Sequence, residues 1–462
     1  MAFELLRQSA LRADSIVLRR APGRHPTSFA VVSALLHERR ALEKAKDGLN
    51  HRSAFLVLLL AACGDADASD AGSKDAARER EGDAGGAPML PTSDAGGVSG
   101  EPEVVSSLAL EQVWFLTGSN TEILIDFRQT PPLVTCGGSV GSADGFEGTG
   151  VFTDPKTGEL LFYTDGRTVF NGRTNVALAN GTGLLGDPSA GEPALITPAN
   201  TGSNDEFYIF TNDTNVSSPS SIYFSLIDLS LGPDGTVTKK NQLLLHGNPG
   251  EALDVVPHTN GKDFWVLAYD GAATVKAFLV TANGVATSPV VSATGLTGAV
   301  ARSSINHTLD YDHLALSIHY GLGKGTIATA TIDRSSGEVS TAKTIVTGDL
   351  GYHASYSADG TKLYYVRGQE GWNGIAYQYD LTESQETKLG GSGMAAAKLA
   401  PNGKVYWAGR GHKFMGVVSQ PDVAGTGCGF VEHGLDLGGC SVAFGVPNQT
   451  AAFLEYLPPA PK

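Results

Sequence analysis

Ser357-Ala358-Asp359-Gly360-Thr361-Lys362-Leu363-Tyr364-Tyr365 is the stretch whose reading decides the fold. A short polar turn built on Asp and Gly is followed at once by an aromatic run. Glycine supplies the positive φ that such turns need, and an aromatic run suits a strand held between two sheets. The unit recurs as Thr153-Asp154-Pro155-Lys156-Thr157-Gly158-Glu159-Leu160-Leu161-Phe162-Tyr163 and as His258-Thr259-Asn260-Gly261-Lys262-Asp263-Phe264-Trp265. It returns as Ala400-Pro401-Asn402-Gly403-Lys404-Val405-Tyr406-Trp407. From Gly261 onward the turn glycines stand at single or double spacings of roughly 40–50 residues, the period of a four-stranded propeller blade.

Working outward, seven such units are read over residues 104–456. The expected fold is all-β, a seven-bladed β-propeller. Inner strands are expected to begin near Gly148, Pro193, Ala252, Ser303, His353 and Met394. The seventh blade is expected from both ends of this region. Val442 to Leu454 would add its inner strand beside Val113-Trp114-Phe115-Leu116 and Ile123-Leu124-Ile125-Asp126. Such closure removes the sheet edges that invite aggregation. An array of β-sandwiches would need modules of roughly 100 residues each. No linker-like gap divides residues 104–454 into such modules.

The N-terminal hundred residues have a different texture. Ala54-Phe55-Leu56-Val57-Leu58-Leu59-Leu60-Ala61-Ala62 is apolar but short, and a membrane-spanning helix needs about 20 residues. Its length matches the core of a signal peptide, with His51 and Arg52 as the positive flank, so residues 51–62 are read as a lipoprotein signal. Leu60-Ala61-Ala62-Cys63 then presents Cys63 for lipidation. Residues 63–103 are rich in Asp, Ala, Gly and Ser and poor in large apolar side chains, the composition of a disordered tether. A flexible linker of roughly 40 residues has a root-mean-square reach of roughly 35 Å. Residues 1–50 are read as a mis-assigned extension upstream of the true start, and 457–462 as a tail. The expected location is the cell envelope, at the outer membrane or cell surface.

The net charge of −15 argues against a nucleic-acid partner, because phosphates would be repelled. There are four cysteines, Cys63, Cys136, Cys428 and Cys440, and no CxxC pair to suggest zinc or thiol–disulfide chemistry. With Cys63 lipidated, one disulfide and one free thiol remain. Cys428–Cys440 is the expected hairpin bridge, with Cys136–Cys440 as the alternative if distant segments meet.

Further stretches carry a family resemblance. They are Leu161-Phe162-Tyr163-Thr164-Asp165-Gly166, Asn180-Gly181-Thr182-Gly183-Leu184-Leu185-Gly186, Phe207-Tyr208-Ile209-Phe210-Thr211 and Phe444-Gly445-Val446-Pro447-Asn448. Over roughly residues 112–454 the chain resembles the seven-bladed propeller region of Bacteroidetes surface and periplasmic proteins linked to gliding motility and type IX secretion. The resemblance implies the fold and an envelope location. The PKD, peptidoglycan-binding and sorting modules that accompany that region are not read here.

Propellers work at the face where the loops leading into inner strands meet the loops between second and third strands. The first series reads Glu147, Glu192, Glu251, Arg302, His353 and Met394. The second reads Asp165, Asp213, Asp270, His319, Arg367 and Arg410. Both turn from acidic to basic around the ring, which implies a polarised mouth. Three functions follow from that pattern. Ca2+ would suit Glu147, Glu192 and Glu251. A hydrolase would pair a metal or carboxylate with His353 as base. A protein or glycan could span the mouth, oriented by its charge. The plain alternative is a set of solvated loop charges. An enzyme requires at least two of Glu147, Glu192, Glu251 and His353 to converge on one point. His258, His307 and His313 read as hydrogen-bonded turn residues. No GxSxG, HExxH or GxxxxGK[ST] motif is present. The expectation is a monomeric, non-enzymatic binding module, with a hydrolase or lactonase-like enzyme as runner-up.

Overall fold

The structure, a computed structural model, describes residues 112–449 apart from 119–120, 138–144, 155–156, 214–219, 248, 297–301, 322–323, 351–352 and 369–372. The readings of Cys63, the signal peptide, the tether and the N-terminal extension lie outside the described residues, as does the 457–462 tail.

The fold is all-β with a propeller-like arrangement. A three-stranded sheet comes first: β1 (Val113–Gly118), β2 (Thr121–Asp126) and β3 (Leu133–Cys136). Next come β4 (Thr149–Thr153), β5 (Leu160–Thr164), β6 (Thr168–Asn171) and β7 (Ala177–Thr182). They are followed by β8 (Ala194–Pro198), β9 (Glu206–Asn212), β10 (Ser221–Asp228) and β11 (Thr236–His246). A five-stranded sheet holds β12 (Pro249–Pro257), β13 (Phe264–Asp270), β14 (Thr274–Thr281), β15 (Gly284–Val285) and β16 (Val290–Ala293). Another holds β17 (Arg302–His307), β18 (His313–Gly321), β19 (Lys324–Asp333), β20 (Glu338–Val339) and β21 (Lys343–Gly348). Two four-stranded sheets follow. One is β22 (Ser355–Tyr356), β23 (Lys362–Arg367), β24 (Ile375–Asp380) and β25 (Gln385–Gly390). The other is β26 (Met394–Leu399), β27 (Val405–Gly409), β28 (Phe414–Val418) and β29 (Phe430–Asp436). The last strand is β30 (Pro447–Gln449).

Among the described residues, five sheets have four or more strands, where seven separate blades were expected. The difference has two local causes. β7 and β11 touch through a parallel bridge, Ala179 opposite Thr236, which fuses β4–β7 and β8–β11 into one sheet. β30 also joins that sheet, pairing in parallel with β4 (Pro447 opposite Thr149), and not with β1 as expected. The chain is steered past β1 on the way. Ala443 N–H donates to Thr117 O, and Phe444 N–H donates to Phe146 O. Gly445 then sits where a Cβ would come within 1.7 Å of the Glu147 carbonyl oxygen, so only glycine lets the segment through.

Burial falls from the innermost strand outward. β12 is buried at every position, β13 at all but its last, and β16 is exposed at alternate positions. An inner strand is covered by neighbours on both faces, whereas an outer strand keeps one face in water. Apolar clusters lie between consecutive sheets. Phe210 and Leu226 pack on Val255 and Phe278, and Trp265 and Val275 pack on Leu316 and Ala330. Trp114, Ile123 and Ile125 of the first sheet pack on Tyr406, Met415 and Val417 of the β26–β29 sheet. Each such large side chain, fully buried, contributes roughly 1.5–3 kcal/mol.

The disulfide joins Cys136 to Cys440, and Cys428 is a buried free thiol. The expected Cys428–Cys440 pair is therefore corrected in favour of the alternative. Cys428 lies with Trp407 and Tyr364 in one apolar cluster, while Cys440 lies with Trp114 and Tyr406 in another.

Candidate functional site

The inner strands of neighbouring units do not share a ladder, so their facing backbone groups need other partners. Side chains supply them. Glu192 accepts from Leu253 N–H at 2.6 Å, and Glu251 accepts from Gly191 N–H at 2.9 Å. Ser303 Oγ accepts from Ala252 N–H, Ser355 Oγ accepts from Leu399 N–H, and Asn212 Nδ2 donates to Gly250 O. Two of the acidic side chains expected to line a mouth thus tie adjacent inner strands together.

Glu147, Glu192 and Glu251 do not gather around one ion. Glu251 is buried beside Glu147, with the Arg302 Nε 4.0 Å from its Oε1. Burial, reinforced by the Glu147 charge, holds the Glu251 carboxyl well above its ordinary value. Glu192 faces Asp254 and Lys398 instead, and burial raises its carboxyl strongly too. Among the described residues no cluster of three or more His, Cys, Asp or Glu side chains is set to hold a metal. The carboxyls read as one possible Ca2+ set do not form such a cluster among the described residues; Glu192 and Glu251 serve different strand junctions.

The second series is occupied in local structure. Asp165 accepts from the N–H groups of Arg167 and Thr168 and so caps its own turn. Asp270 does the same for Ala272 and Thr274 and pairs with Lys276 at 3.1 Å. Asp213 accepts from Ser221 N–H at 2.5 Å. Arg367 pairs with Glu386 and lies over the Tyr377 ring. Arg410 lies over Phe146 and Phe444. His319 is buried near His353, and Met394 is core. Each of these side chains thus has a partner or a packed position close to its own strand.

A concave site lies along the inner strands, reaching from entry residues such as Glu192 and His353 to His307 and Leu399 at the far ends. A cavity of about 80 Å3 is lined by Glu192, Asp254, Asn306, His307, Tyr311, His353 and Lys398, and walled by Val446, Pro447 and Asn448. Asn448 Nδ2 donates to Leu253 O at 2.9 Å, which fixes β30 across it. Of the four residues named as an enzyme criterion, Glu192 and His353 share this cavity. Burial, with Lys398 and His319 nearby, drives the His353 imidazole down to about 3, so it is neutral and weakly basic near pH 7.

A polar pair in the cavity that the sequence did not single out is Asp254–His307. The His307 Nδ1 lies 2.9 and 3.1 Å from the two Asp254 oxygens. In the neutral ring Nδ1 carries the proton and Nε2 is left as acceptor. Two cues in the sequence pointed here. Asp254 interrupts the apolar run Ala252-Leu253-Asp254-Val255-Val256. Tyr311 stands where the equivalent turns carry glycine. Tyr311, Gly261, Gly360 and Gly403 all donate to the carbonyl three residues back. Tyr311 adopts φ 64, and its ring lies 5.0 Å from His307.

Fold and site define the class as an all-β, propeller-like protein with a small polar cavity at its inner strands. No family model matches the chain, and no curated protein matches it. Among solved structures, a candidate 6-phosphogluconolactonase from Bacteroides uniformis is similar at 16% identity, covering 66% of this chain and 92% of that one, with TM-score 0.40. TolB from Acinetobacter baumannii is similar at 15% identity, covering 66% and 75%, with TM-score 0.31. A glucose dehydrogenase is similar at 12% identity, covering 57% and 94%, with TM-score 0.36. Likenesses this remote carry no argument about activity, and the propeller-like assignment rests on the sheets themselves.

Proposed function

We propose that this chain is an envelope lipoprotein, anchored through Cys63, whose propeller is a non-enzymatic binding module. The observation that supports this most directly is how its carboxyls are used. Glu192 and Glu251 are committed to backbone N–H groups of neighbouring units, and His353 is too weak a base to work near neutral pH. The cavity is also small at about 80 Å3, whereas clefts for drug-sized ligands occupy roughly 300–1,000 Å3. A larger protein or glycan partner would have to engage the outer face, with only a small group entering the cavity. We further read the fused β4–β11 sheet as two blades and β1–β3 as a third, so that seven units close one ring. The kinship with gliding-motility and secretion-associated propellers is part of the same proposal.

The test is to incubate the full-length chain with a panel of lactones and aryl esters. No turnover is the expected result. A second reading, hydrolase, is favoured by the Asp254–His307 pair, whose Nε2 has the tautomer of a general base. Turnover that disappears in His307→Ala would establish that reading and refute the first. For the anchor, Cys63→Ser should move the protein to the soluble fraction; continued membrane fractionation would refute lipidation.

A further inference from the structure

Three features of the cavity bear on what it takes up. The first is charge. Asp254 accepts from His307 and from Val255 N–H, and Glu192 accepts from Leu253 N–H. Lys398 has a partner of its own and lies near Glu192. The charges of the lining thus answer one another, and a ligand bringing a full charge would be desolvated with no counter-charge set aside for it. The chemistry on offer is that of a neutral ligand.

The second feature is the polar groups a ligand can reach. Asp254 and Glu192 are buried, whereas Asn306 and His307 keep part of their surface open. The Asn306 Oδ1 accepts from Tyr356 N–H, which leaves its amide nitrogen as a donor. His307 turns Nδ1 to Asp254, which leaves Nε2 as an acceptor. Successive residues of β17 thus bring one donor and one acceptor to the same small lining. A hydroxyl is the neutral group that suits both, because its single oxygen donates and accepts. The third feature is Tyr311. A tyrosine at φ 64 is strained at a position where the equivalent turns use glycine. That backbone places an aromatic ring on the cavity wall beside His307. Retained strain of this kind gathers at ligand sites. An aromatic face beside a donor and an acceptor suits a sugar ring, which carries C–H groups on its faces and hydroxyls along its edge.

Resting on the binding reading above, we infer that this cavity is a site for a neutral sugar, the terminal residue of a glycan. Hydroxyls on one edge of the ring lie against the Asn306 amide and the His307 Nε2, and a C–H face lies against Tyr311. The cavity is small, about 80 Å3, so the rest of the glycan stays outside.

The test uses the full-length protein titrated with the methyl glycosides of glucose, galactose, mannose and N-acetylglucosamine, read by calorimetry. Glucuronate and acetate are the charged controls. Saturable binding of at least one neutral glycoside, and weaker binding of both controls, is expected. Asn306→Asp keeps the oxygen that accepts from Tyr356 and removes the amide donor. It should weaken binding of that glycoside by at least about tenfold. Tyr311→Asn removes the ring and keeps a residue that tolerates the positive φ, and it should weaken binding similarly. Melting curves check that both variants fold; if Asn306→Asp does not, Tyr311→Asn decides. Absence of saturable binding across the glycosides, equal or tighter binding of glucuronate or acetate, or unchanged affinity in Tyr311→Asn would each overturn the assignment. None of these touches the binding-module reading, which falls only to turnover dependent on His307.

Discussion

Removing the Cys136–Cys440 bridge should cost this protein more than most disulfides are worth. The bridge spans 304 residues of sequence and ties the first sheet to the segment leading into β30. Chain-entropy bookkeeping for a loop that long gives about 5.7 kcal/mol at 25 °C. Native disulfide removals fall at or below such figures, which puts the expected loss at about 4 kcal/mol. In a unit of roughly 340 residues the melting entropy is near 0.7 kcal/mol per kelvin, so the melting temperature should drop by about 6 °C. The variant is Cys136→Ala with Cys440→Ala, since alanine preserves the small apolar character of the site in the Trp114 cluster. Urea unfolding is the assay. The slope against urea should rise as well, because an uncrosslinked chain exposes more surface when it unfolds. Wild type under reductant should reproduce the variant. A loss below about 1 kcal/mol with an unchanged slope would refute the reasoning, for it would mean that the bridge does not constrain the unfolded chain.

Three further outcomes follow from the same geometry. Glu192 and Glu251 titrate higher in the folded state than at their ordinary value near 4.5, so the folded state binds the extra protons and stability falls as pH rises above that value. His353 titrates lower, at about 3, so stability also falls as pH drops from 6.5 toward 3. Melting temperature against pH should therefore peak on the acid side of neutrality, and Glu251→Gln should flatten the alkaline limb; an unchanged limb would count against the buried-carboxyl account. Gly445→Ala should destabilise by about 3 kcal/mol, because the added Cβ meets the backbone oxygen of Glu147 and not a movable side chain. Hydrogen exchange of the β4 amides checks whether β30 is lost with it. Ser303→Ala should cost about 1–2 kcal/mol in urea unfolding, by leaving the buried Ala252 N–H without its acceptor.

Much of the fold was legible because the repeated turn is a local signal. Gly261, Gly360 and Gly403 all adopt positive φ, and Trp265, Tyr364 and Trp407 behind them are buried. Local signals end where pairing depends on distant chain. Three residues beginning with proline have no alternation to read, so the partner of Pro447–Gln449 was settled by the passage at Gly445, a steric fact of the folded state. The disulfide was ambiguous for the same reason: sequence distance favours Cys428–Cys440, and spatial distance favours Cys136–Cys440. The roles of the mouth residues were not legible because charge type around a ring does not reveal commitment. Asp165 and Asp270 cap turns, and Glu192 and Glu251 join strands. The cavity was nearer to legible than it looked, since Asp254 within an apolar run and Tyr311 in place of a turn glycine were both visible.

Tyr311 also has a meaning for how this lineage can drift. Among the described residues, four of the seven non-glycine positions at positive φ are asparagine: Asn175, Asn180, Asn200 and Asn241. Asparagine and aspartate tolerate that backbone best after glycine. From either tyrosine codon, asparagine and aspartate are each one base change away. Mutation therefore continually offers this turn a more comfortable residue. If natural variants keep an aromatic here against that supply, the genealogy itself records selection for the ring, and hence for whatever the cavity holds.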